Sequence, residues 1–409
     1  MSFEVIKGLL TLKLSLVGTT ALAVVLYLFG NLIRKRVPFF VKFCIPAPVI
    51  GGFSFALLAW LLRSSGILGF SFDTTLQSPL MIAFFTTVGL AGSLGLVKKG
   101  GKTLIVYLVG CWILAISQNL IGSTVAKFTG IHPVLGVMAG AVSLEGGHGA
   151  ASAFGPTVEN MGVNGAFVVA IASATYGLIA GGLLGGPLAK WLIERFNLEI
   201  KTDEEEGISY EIDKGESEPV TSNSLINMSG LILVIMVLGE LIAGYIKNIT
   251  NFVLPGYIGA MFIAVIFRNI NDVLKLVNIK WNTVDVISDF SLGIFLSMAM
   301  MSLKIWELAS LALPLVIILV VQTIFILLYA AFLLFPLLGR NYDAAVMCSG
   351  LVGHGLGATP NALANMNAVC ERYGVVSKKA FLIVPLCGAA LIDLVGIPNI
   401  VWFINYLVK

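Results

Sequence analysis

The chain has 409 residues, 58% hydrophobic and only 11% charged, against roughly 25% charged in a typical soluble protein. This excludes a soluble globular protein, and it excludes disorder, which requires low hydrophobicity and high charge. A formal net charge of +3 cannot supply the basic face that a nucleic-acid partner needs, so the sequence reads as an integral membrane protein with little mass outside the bilayer. Its five cysteines, Cys44, Cys111, Cys348, Cys370 and Cys387, fall mostly in apolar stretches without Cys-x-x-Cys spacing. They read as buried thiols, with no disulfide frame or zinc site.

A helix needs about 20 apolar residues to cross a bilayer, so uncharged runs mark the spans. In chain order these are 14–33, 43–62, 74–97, 103–126 and 160–189, then 225–246, 248–267, 284–303, 308–335 and 380–408. The first run precedes its basic cluster, Arg34, Lys35 and Arg36, the reverse of a signal peptide, and reads as a retained helix. Residues 132–158 and 342–369 are also apolar but dense in Gly, Ala, Ser and Asn. If both are hairpins that return to their own side, 18 of the 25 Lys and Arg residues lie on one face. If both cross, the division is 12 against 13. Cytoplasmic loops carry the excess of Lys and Arg, so the sequence predicts ten helices, two re-entrant hairpins and both termini outside. Residues 199–218, with 9 of the 22 acidic residues, read as a solvated cytoplasmic linker.

The two halves share landmarks in order. Pro46 answers to Pro255, Ser93-Leu94 to Ser302-Leu303, Gln118 to Gln322, Gly147-His148-Gly149 to Gly353-His354-Gly355, Asn160-Met161 to Asn365-Met366 and Pro187 to Pro398, at spacings of 204 to 211 residues. The predicted fold is an all-α polytopic membrane protein of two inverted repeats, residues 1–198 and 225–409, each with five helices and a glycine-rich hairpin, joined by residues 199–224. An odd number of crossings inverts the second copy. Inverted repeats with broken helices near the midplane are a transporter architecture.

Non-helical backbone at membrane depth must line a cavity or be buried in protein. Glycine lets a ligand approach the backbone closely, and a helix N-terminus offers unpaired N–H groups to a carboxylate. The hairpins therefore supply the expected carboxylate-binding residues: Ser143, Gly146, Gly147, His148 and Gly149 in the first, and Gly357, Ala358, Thr359, Pro360 and Asn361 in the second. Pro360 suits the first helical residue, where its missing N–H costs little. An ionisable residue within the bilayer is expensive, which makes Asp393, midway along the last span, the leading cation ligand, with Glu145 and Asn365 as further ones. Glu145 also reads as a protonated or structural group. His148 and His354 lack any metal or nucleophile signature around them and read as hydrogen-bonding groups. Gln118 and Gln322 can bond across to the hairpins. The glycine cluster 181–186 before Pro187 reads as helix packing. Gly101-Lys102-Thr103 lacks the first glycine of a phosphate loop, so ATP is not the driver.

At these positions the sequence resembles the sodium/glutamate symporter family, from about Pro46 to Pro398. The likeness is carried by Pro79-Leu80-Met81 to Gly89-Leu90, Gly146-Gly147-His148-Gly149, Ser302-Leu303-Lys304-Ile305-Trp306-Glu307-Leu308, Asn341-Tyr342-Asp343-Ala344-Ala345 and Gly355-Leu356-Gly357-Ala358-Thr359-Pro360. The resemblance implies sodium-driven uptake of L-glutamate across a bacterial inner membrane by a homodimer, with Na+ as coupling ion and no other cofactor. Family members often carry Thr where Ala150 stands, a small or hydroxylated residue at Glu145, and Thr in place of Asn361. The alternatives are a sodium-coupled symporter for aspartate, citrate or a hydroxy acid, a channel, disfavoured because no ring of charge lines a pore, and an intramembrane enzyme using His148, disfavoured for want of a nucleophile or metal partner.

Overall fold

The apolar runs fold as helices whose ends follow the polar punctuation. Ser15 accepts from the Gly18 N–H to open α1, Leu16–Arg36, and Asn341 accepts from the Ala344 N–H to open Tyr342–Leu356, as N-cap side chains do. A computed structural model describes residues 2–6, 8–43, 45–95, 101–201, 219–250, 254–308 and 311–408. After α1 come α2 (Pro38–Lys42), α3 (Ala47–Ser64), α4 (Gln77–Ala91), α5 (Gly101–Phe128), α6 (Pro133–Val137), α7 (Gly147–Asn160) and α8 (Ala166–Arg195). The second half holds α9 (Ser222–Thr250), α10 (Gly256–Leu274), α11 (Trp281–Met301), α12 (Ala312–Leu328), α13 (Tyr342–Leu356), α14 (Thr359–Tyr373), α15 (Lys378–Leu386) and α16 (Asp393–Leu407). Short π-helical turns follow α6, α12 and α15, at Met138–Val142, Tyr329–Leu334 and Cys387–Leu391. Most of the linker lies outside the described residues, as does Cys44. The other four cysteines are free and buried, as expected.

Among the described residues, nine helices are long and apolar enough to span a membrane. The third predicted span is the exception. Its uncharged run becomes the 15-residue α4, about 22 Å at 1.5 Å per residue where a bilayer core measures about 30 Å. Absence of charge is not helicity. Gly92 already leaves the helix, and Gly89 sits so close to α10 that a Cβ there would collide with the Met261 carbonyl. An all-helical reading also omits a three-stranded sheet: β1 (Ser2–Ile6) is antiparallel to β2 (Leu9–Leu14), and β2 is parallel to β3 (Gly69–Phe72). Gly8, at φ +79°, makes the turn between the first two strands. The first two strands precede α1 and the third follows α3, and the apolar runs that flank them concealed all three.

The order of elements recurs between the halves. Ala47 and Gly256 open matching helices 209 positions apart, Gly101 and Ala312 are 211 apart, and Ala166 and Lys378 are 212 apart. Pro46 and Pro255, each the residue capping its helix, keep that spacing. The Gly-His-Gly pair does not: Gly147-His148-Gly149 opens α7, whereas Gly353-His354-Gly355 lies in the last turn of α13. Both tips need small residues, so a short glycine motif matches itself out of step with the helices that carry it.

Helices of both halves mix into two packed groups. One holds α1, α3, α4 and α9–α11, and the other holds α5–α8 and α12–α16. Close backbone crossings tie the first group together: a Cβ at Gly51 would strike the Leu26 carbonyl, and one at Gly259 would strike that of Gly239. Between the groups the contacts are fewer, chiefly α7 on α11 and the Cys387–Leu391 turn on α4, with Phe154 of α7 stacking edge-on to Tyr257 of α10 at 5.5 Å.

Candidate functional site

Two helical hairpins face each other at the centre of the second group. In the first, α6 ends in the Met138–Val142 turn, where Gly140 (φ −102°, ψ −133°) breaks the helix. A broken ladder leaves backbone groups that need partners, and Asn119 of α5 provides one. Its Oδ1 accepts from the Ala141 N–H at 3.2 Å while its Nδ2 donates to Asn399 at 2.8 Å. Ser143 folds its hydroxyl back onto the Met138 carbonyl. The chain then turns through Leu144–Gly146 into α7, with Gly147 at φ +58°, a conformation that favours glycine.

The second hairpin is regular. Its arms α13 and α14 fold back on each other across Gly357-Ala358, and Pro360 is the second residue of α14, one later than the sequence predicted. Three glycines of α8, at four-residue spacing, receive it. A Cβ at Gly177 would collide with the Leu356 carbonyl, one at Gly181 would lie 3.0 Å from the Gly353 oxygen, and one at Gly185 would run into the Asn365 amide. In return Asn361 Nδ2 donates to the Leu178 carbonyl at 2.7 Å and Asn365 Nδ2 to that of Gly181 at 2.8 Å. The glycine cluster is a packing surface, as expected, and what it packs is the second hairpin.

The tips meet backbone to backbone: a Cβ on Gly147 would lie 3.7 Å from the Gly357 oxygen. Around that meeting point is a cavity of about 370 Å³, lined by Glu145–Ala150, by Gly357–Pro360, by Gly388 of the last π turn, and by Asp393 and Gly396 of the last helix, with Phe84, Phe85, Leu292 and Leu296 of the other helix group as its opposite wall. This volume falls within the range of small-molecule sites. The first turns of α7 and α14 both border it, so two sets of helix N-terminal N–H groups converge there. Asp393 starts α16 directly after the Cys387–Leu391 π turn, and π turns recur at functional sites. Glu145 is half-buried and its Oε1 has no hydrogen-bond partner among the described residues.

The structure thus brings together Gly146, Gly147, His148, Gly149, Gly357, Ala358, Thr359, Pro360, Glu145 and Asp393. Ser143, Asn361 and Asn365 are buried beside the cavity, outside its lining, where they hold the hairpins in place. The two histidines also separate. His148 borders the cavity with Nε2 3.0 Å from the Thr175 hydroxyl, while His354 lies behind the second tip with Nε2 2.9 Å from the Tyr107 hydroxyl. Gln118 Nε2 donates to the Gly355 carbonyl at 2.7 Å, the bond to a hairpin that its position suggested, and Gln322 Nε2 donates to the Gln118 carbonyl at 2.6 Å.

Comparison with known proteins decides what this arrangement belongs to. The family model of the sodium/glutamate symporter matches residues 12–375. The chain is 39% identical to a sodium/glutamate symporter of Escherichia coli (strain K12) over 385 residues, 94% of this chain and 96% of that one. It is also 39% identical to one of Haemophilus influenzae over 382 residues, 92% and 94% of the two chains. The chain belongs to the sodium/glutamate symporter family. It is accordingly a multi-pass membrane transporter, with Na+ as the coupling ion that the family's description names. Asp393 lies beyond the stretch matched by the family model, so its place in the site rests on the cavity geometry alone. Sequence reasoning missed Thr175 and the Asn119–Asn399 pair. A polar residue in the middle of an apolar run was the available signal for each.

Proposed function

We propose that this chain couples the entry of sodium to the uptake of L-glutamate. The observation that carries the reading is the single cavity in which two hairpin tips, two helix N-termini and the carboxylates of Glu145 and Asp393 meet. Glutamate brings two carboxylates and an ammonium group. The N–H groups opening α7 and α14 suit the carboxylates. Asp393 and Glu145 would repel them, and suit the ammonium group or a sodium ion instead. Sodium held at Asp393 removes that repulsion, so the amino acid binds well only with its ion, which is the condition for coupling. A potential of 100 mV contributes about 2.3 kcal/mol per net charge moved, so two or more sodium ions with one monoanion add electrical drive.

The same reading makes the hairpins re-entrant, the halves inverted repeats (residues 1–198 and 225–409), and both termini extracellular, supported by the distribution of Lys and Arg and by the recurring element order. Alternating exposure then follows if the hairpin group shifts against the group of α1, α3, α4 and α9–α11. A homodimer would form on the first group, that of α1, α3, α4 and α9–α11, where α9 leaves Leu233, Val237 and Leu241 exposed on one face. Citrate, aspartate or a hydroxy acid as cargo is not favoured, since the relatives' names specify glutamate.

The test is uptake of labelled glutamate into proteoliposomes under an imposed sodium gradient, with aspartate and citrate as competitors. Accumulation above equilibrium that collapses with the gradient is the expected result. Sodium-independent leak, or preference for citrate, would overturn the reading.

A further inference from the structure

A second cavity, of about 530 Å³, lies further along the same helices. In α4, Gln77 and Ser78 border this cavity, while Phe84, Phe85 and Val88, further along, border the central one. In α7 the division falls between Ala150, on the central cavity, and Ser152. On α11, Leu292 and Leu296 reach the central cavity, whereas Ser302 and Lys304, just past the helix end, border the second. Three elements therefore carry both cavities in sequence, one behind the other.

The second cavity is built for a polar guest. Ser152 is 1% exposed, and its Oγ has no hydrogen-bond partner among the described residues. In the same helix the Thr157 hydroxyl donates back to the Ala153 carbonyl at 2.9 Å, the usual resort of a helical hydroxyl. A buried polar group left unpaired costs about 1–3 kcal/mol, so Ser152 marks a place where a ligand atom would be held. Lys304 and Glu159 put one positive and one negative charge on the lining, and Glu159 is anchored there by accepting the Phe167 N–H at 3.1 Å. A cationic and an anionic group flanking hydroxyls match an α-amino acid, with its carboxylate towards Lys304 and its ammonium towards Glu159.

We propose that this cavity is a vestibular binding site that receives the amino acid before it reaches the central cavity. The inference rests on the transport reading given above. It differs in one measurable respect: the central site needs sodium, and the vestibule, which supplies its own charges, does not.

The experiment is the rate at which a charged methanethiosulfonate labels Ser152→Cys in nanodiscs, which expose both faces, with the unsubstituted protein as background. Labelling is expected to slow about threefold at glutamate twice its dissociation constant, as simple occupancy requires, and to do so without sodium. A labelling rate that glutamate leaves unchanged overturns the proposal. So does protection seen only with sodium, since that reports the central site. Should Ser152→Cys fail to fold, Ser302→Cys gives the same reading. Lys304→Gln is expected to raise the KM for uptake about tenfold, the loss of one charge-assisted contact, with Vmax retained, and an unchanged KM would also overturn it. If the unsubstituted protein accumulates no glutamate, the transport reading fails instead, and the labelling assay with glutamate and aspartate still reports whether the vestibule holds an amino acid.

Discussion

The two hairpins are made of similar residues and built differently. The first is short-armed and broken: a π turn with Gly140 out of helical geometry, a tip bearing Glu145, and Gly147-His148-Gly149 starting the returning arm. The second has two regular arms of 15 residues, a two-residue tip and its Gly-His-Gly on the outgoing arm. One histidine therefore faces the cavity and the other faces Tyr107. The contrast teaches that a repeated motif need not repeat a role. The first hairpin contributes chemistry to the cavity, and the second contributes a helix end held rigidly by α8.

If that contrast holds, disturbing the dock of the second hairpin has the largest effect. Gly177→Ala drives a methyl group into the Leu356 carbonyl and is expected to cost about 3 kcal/mol or more, read as lost monodisperse protein on size exclusion. Next is the histidine pair. His354→Ala removes a buried ring and its bond to Tyr107, about 2–4 kcal/mol, and should lower the melting temperature well below that of His148→Ala. His148→Ala should instead raise the KM for glutamate, and equal melting temperatures would erase the distinction. Asp393→Asn is expected to raise the sodium needed for half-maximal uptake about tenfold, roughly 1.4 kcal/mol, at near-normal thermal stability. Tyr107→Phe loses a single buried hydrogen bond, about 1 kcal/mol. Smallest is Gly186→Ala: nothing lies within 4 Å of a Cβ there, and a change within about 0.5 kcal/mol is expected. It serves as the packing control, whereas Gly185→Ala, which meets Asn365, does not.

Most of the helical framework was legible because charge and proline punctuate it. Pro46, Pro255 and Asn341 stand where helices begin, and the runs between charged residues have the length a bilayer demands. The glycine-rich turns at residues 144–147 and 357–358 were legible too, since dense glycine marks a close approach of backbones. What the sequence concealed was register and orientation. Nothing in the residue types at 138–142 or 387–391 announces a π turn, and at the first of them the partner of the freed Ala141 N–H is Asn119, 22 positions away. Asn361 and Asn365 carry the residue type of a ligand site, and their Nδ2 groups bond to α8 because Gly177, Gly181 and Gly185 admit the hairpin so closely. Glycine spacing in one helix thus sets the hydrogen bonds of asparagines almost 200 positions away.

The cavity draws its walls from Pro46 near one end of the chain to Ile400 near the other, with consequences for how the protein is made. A ribosome that has finished the first half has delivered one tip, with Glu145 still lacking the surroundings that enclose it. The central cavity lacks a wall until the final helix has been made. An unfinished copy therefore lacks the side of the cavity that Asp393, Ile397 and Ile400 supply.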